Sequence, residues 1–133
     1  MNAVPIYETD VYVLFKEFEC VFLFDKDKNK DIWRTELFYE ATCGIIDILN
    51  EWVVVGGETV FVWKNNKIEH LEDNELKWIH DLRQISDNEI EILTDPWSED
   101  SCIWRFNVLT YKKNLLRNFS EYYMKEYTEN VIW

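Results

Sequence analysis

Seven tryptophans, seven tyrosines and eight phenylalanines in 133 residues commit this chain to burying large rings. Disordered chains are poor in aromatics, so a packed core is expected despite the high charge. The length fits one domain over residues 1–133. Only three glycines and two prolines are present, which predicts few and short loops.

The charge is lopsided. Twenty-six acidic residues stand against fourteen basic ones, for a formal net charge of −12. Phosphate backbones are gripped by Lys/Arg surfaces, so direct nucleic-acid binding is not expected. An acidic surface draws a basic protein and speeds the encounter with it. Cys20, Cys43 and Cys102 form no CxxC pair and each lies in an apolar stretch. They are read as buried free thiols of a reducing compartment. The start Met1-Asn2-Ala3-Val4-Pro5 lacks a basic segment followed by an apolar run, so no secretory signal is expected. No stretch approaches the ~20 apolar residues of a membrane span. These features predict a cytoplasmic location.

Val11–Phe24 alternates aromatic and β-branched residues like a strand, with residues 8–16 also compatible with a helix. Residues 25–30 read as a charged turn. Trp33, Leu37, Ala41, Ile45, Ile48, Leu49 and Trp52 recur at three- and four-residue steps and predict a helix over 32–52. Gly56-Gly57 reads as a turn. Thr59–Trp63 and Lys67–Leu71 flank Asn65-Asn66, a hairpin signal because Asn tolerates positive φ. Asp73 heads a predicted helix with Leu76, Ile79 and Leu82 inward. Glu89–Leu93 predicts a half-exposed strand, and Ser101–Tyr111 a strand with Cys102, Trp104, Phe106 and Val108 on one face. Leu116, Phe119, Tyr123 and Tyr127 mark a C-terminal helix. The sum is an α+β domain, a mainly antiparallel sheet with two or three packed helices.

Candidate chemistry is thin. His70 and His80 are ten residues apart with no cysteine at ligand spacing, so both read as structural. The serines sit in no Gly-x-Ser-x-Gly turn, and Gly56-Gly57 is not followed by Lys-Ser/Thr. Asp25–Asn29 starts like a calcium loop but lacks the glycine and glutamate that shape one. Paired carboxylates abound, as expected in so acidic a chain. No enzyme, cofactor or metal is expected.

The acidic clusters carry the functional expectation. Glu69, Glu72, Asp73 and Glu75 form one, Glu89 and Glu91 share a strand face, and Asp95, Glu99 and Asp100 surround Trp97. A tryptophan among steering charges has the composition of an interaction hot spot. These ten residues are the candidate partner-binding set, with Trp97 alternatively a core residue.

In size, acidity, aromatic richness and expected α+β fold, the chain resembles the small acidic immunity proteins of bacterial contact-dependent growth inhibition and related polymorphic toxin systems. Glu58-Thr59-Val60-Phe61-Val62-Trp63 and Glu89–Leu93 have the strand-plus-acid character of that group. The resemblance implies a cognate basic toxin domain as partner, a nuclease with tRNA a frequent target, blocked at its active site or an adjacent surface. Immunity proteins share no common motif, so the resemblance transfers no residue role. Another acidic inhibitor, such as a nucleic-acid mimic, and a non-enzymatic small-ligand binder are the alternatives. A monomer is slightly favoured, and no membrane partner is expected.

Overall fold

The computed structural model describes residues 2–133. Among them no α-helix occurs. Twelve strands form three four-stranded antiparallel sheets, each a meander in chain order. Sheet 1 comprises β1 (Val4–Glu8), β2 (Tyr12–Glu17), β3 (Cys20–Asp25) and β4 (Lys30–Glu36). Sheet 2 comprises β5 (Cys43–Ile46), β6 (Trp52–Gly56), β7 (Val60–Lys64) and β8 (Lys67–Leu71). Sheet 3 comprises β9 (Ile79–Gln84), β10 (Glu89–Thr94), β11 (Cys102–Asn107) and β12 (Lys113–Asn118). The sheets stack face to face, with β5 of the middle sheet abutting both β1 and β9.

This architecture corrects the α+β expectation, and each predicted helix fails for an identifiable reason. The 32–52 pattern strings together Trp33 of β4, Leu37 and Ala41 of a connection, and Ile45 of β5. Trp33, Leu37 and Ala41 do share one side, the core between sheets 1 and 2. Ile48 and Leu49, however, sit exposed in the β5–β6 turn. The three-residue step from Ile79 to Leu82 comes from a β-bulge. Asp81 pairs with Leu93 and Ile79 with Thr94, which leaves His80 extra and returns Ile79 and Leu82 to one face. Leu116 falls at a similar irregularity in β12, and the segment after Asn118 is non-helical. The Asn65-Asn66 hairpin forms as expected, both residues having positive φ (51° and 61°). The β10 and β11 strands also form, with Cys102, Trp104, Phe106 and Val108 facing one core.

Two cores flank sheet 2. Val53, Val55 and Trp63 pack against Leu14, Val21 and Leu23 of sheet 1. Trp52, Val54, Val60 and Val62 pack against Leu82, Ile90, Ile92, Trp104 and Phe106 of sheet 3. All five β6 residues are buried, so that strand reads as an unbroken apolar run. Gly44 and Gly56 permit the close approach of inner strands. A Cβ on Gly44 would lie 2.5 Å from Leu14 Cδ2, and one on Gly56 would lie 2.7 Å from Ile79 Cγ2 and 2.8 Å from Cys43 Sγ. Gly56 thus acts inside β6 by lacking a side chain, not in a turn.

Sheet 3's outward face is covered by the chain itself. Leu93, Ile103 and Phe119 form a third cluster with Tyr122, Val131 and Trp133 packed on it. The Trp133 indole N–H donates to Asp81 Oδ2 at 3.1 Å, and the Arg83 guanidinium lies 3.9 Å from its ring centroid. The Ile132 amide donates to the Tyr122 hydroxyl at 2.9 Å. The outward face of sheet 1 has its own aromatic row, with Phe15 stacked on Phe22 at 5.1 Å and Arg34 over Phe22. No helix among the described residues is long and apolar enough to cross a membrane.

Two stability outcomes are expected. Gly56→Ala overpacks the sheet 2–sheet 3 core and should cost about 1–3 kcal/mol in urea unfolding; an unchanged midpoint would show that Ile79 and Cys43 yield freely. Deleting residues 119–133 bares Leu93 and Ile103 and should produce concentration-dependent self-association in sedimentation velocity.

Candidate functional site: the acid-rich loop end

In a meander successive turns alternate between the two ends of the sheet, so the connections of this chain sort into two sets. One end carries the β2–β3, β4–β5, β6–β7, β8–β9 and β10–β11 connections. They hold nine acidic residues and one basic residue, Lys77. The opposite end holds five acidic residues and three lysines in its six turns. Cross-links confirm the grouping: the Trp78 amide donates to the Glu58 carbonyl at 2.9 Å, and the Ile79 amide to the Gly57 carbonyl at 2.8 Å.

Three grooves open at the acid-rich end, and two of them flank the β8–β9 connection. The first, about 590 Å³, lies between sheets 1 and 2 and is lined by Glu36, Phe38, Tyr39, Glu58, His70 and Glu72 among others. The second, about 670 Å³, lies between the β8–β9 connection and sheet 3, lined by Glu75, Trp78, Asp95, Glu99 and Asp100 among others. Asn74 and Lys77 line both. The one lysine is taken up by Glu58, at 3.7 Å.

A ridge of exposed aromatics divides the grooves. Phe38 is 89 % exposed, Trp78 54 % and Tyr39 49 %. Their centroids are 6.0 Å apart from Phe38 to Tyr39 and 5.5 Å from Tyr39 to Trp78. Trp78 has φ 52°, and Phe18, exposed in the β2–β3 turn at the same end, has φ 54°. Bulky residues rarely adopt this left-handed region, which costs roughly 1–2 kcal/mol per residue. Elsewhere positive φ falls on Asn29, Asn50, Asn65 and Asn66 in turns of the opposite end, where the cost is small, and also on Tyr111 in the β11–β12 turn of that end and on Met124 after β12.

The ten predicted partner-binding residues separate on this frame. Glu72, Asp73, Glu75, Asp95, Glu99 and Asp100 all sit in connections of the acid-rich end. Glu75, Asp95, Glu99 and Asp100 line the second groove together, and Glu72 lines the first. Glu69 lies on β8, away from both. Glu89 and Glu91 lie on sheet 3 and face basic neighbours, Glu91 at 2.6 Å from Arg83 and Glu89 at 3.7 Å from Arg105. Trp97 is half-buried, with its ring 5.0 Å from Tyr127, 5.5 Å from His80 and 6.3 Å from Tyr122, so it locks the C-terminal segment to the β10–β11 turn. Its amide is held by Asp95 Oδ1 at 3.0 Å. The ridge residues Phe38, Tyr39 and Trp78 were not singled out in the sequence. Their signal was faint: large rings outside any clean strand alternation.

Lys113 Nζ reaches Asp73 Oδ2 at 2.6 Å and Glu75 Oε1 at 2.8 Å. Burial alone would raise the Asp73 carboxyl. The Lys113 hydrogen bond, the Glu75 amide and the lysine charge outweigh it and hold the carboxyl below its ordinary value. Lys113 is likewise raised: burial lowers it, and bonds to Asp73 and Glu75 more than compensate.

His70 serves packing: Nε2 is 2.8 Å from Thr59 Oγ1, and the ring stacks on Phe61 at 4.5 Å. The three cysteines are free and half-buried. Burial pushes the Cys43 thiol up to about 12, so it is protonated at neutral pH and is no nucleophile. No group of three or more His, Cys, Asp or Glu among the described residues is placed to hold a metal ion.

No protein-family model and no curated protein matches this sequence. Solved structures do. The WD40 β-propeller domain of Doa1 superposes with a TM-score of 0.60 at 11 % identity, over 83 % of this chain and 36 % of that one. Hydrazine synthase of Kuenenia stuttgartiensis superposes with a TM-score of 0.58 at 7 % identity, over 80 % of this chain and 34 % of that one. The chain thus spans about a third of the length of each. At these identities the likeness concerns fold alone: three consecutive blades of β-propeller type, with β1, β5 and β9 innermost.

Asp73 binds fewer protons folded than unfolded, so its contribution is present above the unfolded carboxylate value and is lost as pH falls through the folded one. The stability gap between wild type and Asp73→Asn should be present at pH 7 and close below about pH 4. A gap of constant size from pH 7 to pH 3 would show that the pair contributes nothing through its charge.

Proposed function

We propose that this chain is a non-catalytic cytoplasmic binding protein that docks its acid-rich end onto a basic protein and blocks it. An immunity protein neutralising a cognate nuclease toxin domain is the fullest form of that reading. The supporting observation is the segregation of charge along the molecule, nine acids to one lysine in the loops of one end against five to three at the other. Surface charge kept only for solubility has no reason to collect at one end. A nuclease must present Lys and Arg to phosphate, so a focused negative end is complementary to the surface it uses on its substrate. Of the second groove's carboxylates, Glu75 engages Lys113, and among the described residues Asp95, Glu99 and Asp100 engage no lysine or arginine, which leaves these three to a partner.

The test uses the full chain as bait in lysate of its host at low and high salt. The expected prey is a basic polypeptide, held more weakly as salt rises, whose nucleic-acid cleavage stops at one equivalent of this protein. Reversing Asp95, Glu99 and Asp100 to lysine should weaken the complex at least tenfold and flatten its salt dependence. A partner retained equally by that variant, or one that is not basic, would overturn the reading.

A further inference from the structure

The aromatic ridge carries an inference that rests on the proposed function and makes it more specific. We infer that an extended arginine-bearing segment of the basic partner lies across Phe38, Tyr39 and Trp78, with guanidinium groups stacked on the rings and held by carboxylates of the two grooves.

Three independent observations lead to this occupant. Phe38, Tyr39 and Trp78 form a contiguous exposed apolar surface, and a cluster of this kind, unlike rings scattered singly, marks an interaction site. Trp78 is held outward at φ 52°, a value that disfavours a bulky residue; asparagine fills four comparable positions, and Phe18, Tyr111 and Met124 three more. Strain of this sort persists where the surroundings enforce it, and here two backbone hydrogen bonds at Trp78 and Ile79 fasten the connection to Glu58 and Gly57. The fold gains little from an outward indole, so its use lies outside the fold.

The third observation is charge on both flanks. Glu36, Glu58 and Glu72 border the ridge through the first groove, and Glu75, Asp95, Glu99 and Asp100 border it through the second. An acidic peptide is repelled and an uncharged one leaves these carboxylates unused. Arginine suits both parts of the surface, because its planar guanidinium stacks on aromatic faces and forks onto carboxylates. Lysine meets the charge but stacks less well. The grooves share Asn74 and Lys77, so a bound segment can run from one to the other beside the ridge.

The probe is a 12-residue peptide of alternating arginine and glycine, compared with its lysine counterpart, titrated against the full chain by calorimetry and tryptophan fluorescence. The arginine peptide should bind at least threefold more tightly than the lysine one and perturb tryptophan emission. Trp78→Asn, whose new residue accepts the positive φ, should retain the thermal midpoint and lose at least fivefold in affinity for the arginine peptide. Tyr39→Ser should do the same. If Trp78→Asn does not fold, Trp78→Gly takes its place. Equal affinity for the two peptides, or ridge variants that bind like wild type, would overturn the inference. If the Asp95/Glu99/Asp100 reversal still weakens binding in that case, the ridge alone is excluded and the basic-partner reading stands. If neither ridge nor charge variants change binding, both fall. A ridge buried instead between two copies of this chain would show as a dimer in sedimentation that Trp78→Asn dissolves, and this also overturns the inference.

Discussion

Sheet 2 can bury both of its faces only because its neighbours approach closely, and the rest of the molecule is arranged around that sandwich. Val54 and Val62 point to one core while Val53, Val55 and Trp63 point to the other. The period-two geometry of a strand turns a simple run of valines into two separate contact surfaces. Gly44 and Gly56 let β5 and β6 come within van der Waals contact of Leu14 and Ile79, so the inner strands can meet. Once those strands are aligned, the alternation of turns places every even-numbered connection at one end. The acid-rich end is therefore a consequence of stacking.

A stack of sheets leaves two outward faces, and the chain treats them differently. Sheet 3 is covered by residues 119–133, where Phe119, Tyr122, Val131 and Trp133 supply the apolar partner that another sheet would supply in a longer propeller. Arg83 serves three neighbours at once, with Glu91 at one side and the Trp133 ring and carbonyl at the other. Trp97 ties the same segment to the β10–β11 turn. An aromatic next to acids in sequence is thus equally able to be a clasp for the chain's own terminal segment, and only its neighbours in space decide.

Strands with simple alternation were legible in the sequence. The Glu89–Leu93 strand, the Asn65-Asn66 hairpin and the first part of the Ser101–Tyr111 strand follow their local patterns because nothing interrupts the period, while β11 ends at Asn107 and the chain turns before Tyr111. The helices read over 32–52, after Asp73 and near the C-terminus were artefacts of bulges and connections. A bulge at His80 converts a two-residue period into a three-residue step, and a connection such as 37–42 drops Leu37 and Ala41 into a core at helical intervals. Asparagine, not glycine, makes several of the turns, which hides the usual punctuation. The convergence of Glu75 with Asp95, Glu99 and Asp100 depends on which connections share an end, which no local pattern records.

Charge and strain then give the acid-rich end its character together. On sheet 3, acids meet their counter-ions: Glu91 with Arg83 and Glu89 with Arg105. Such exposed or half-exposed pairs add at most about 1 kcal/mol each, but they keep the sheets electrically quiet. At the loop end Asp73 and Glu75 share Lys113, while Asp95, Glu99 and Asp100 have no such partner within ion-pair distance among the described residues, and Lys77 serves Glu58. The same connections hold Phe18 and Trp78 outward in left-handed backbone. Repulsion among these carboxylates and the strain at Trp78 both oppose folding, and both lie where a basic aromatic-binding segment would relieve or use them. A surface that costs stability in the free chain and gains it on contact has the energetic profile of a binding site.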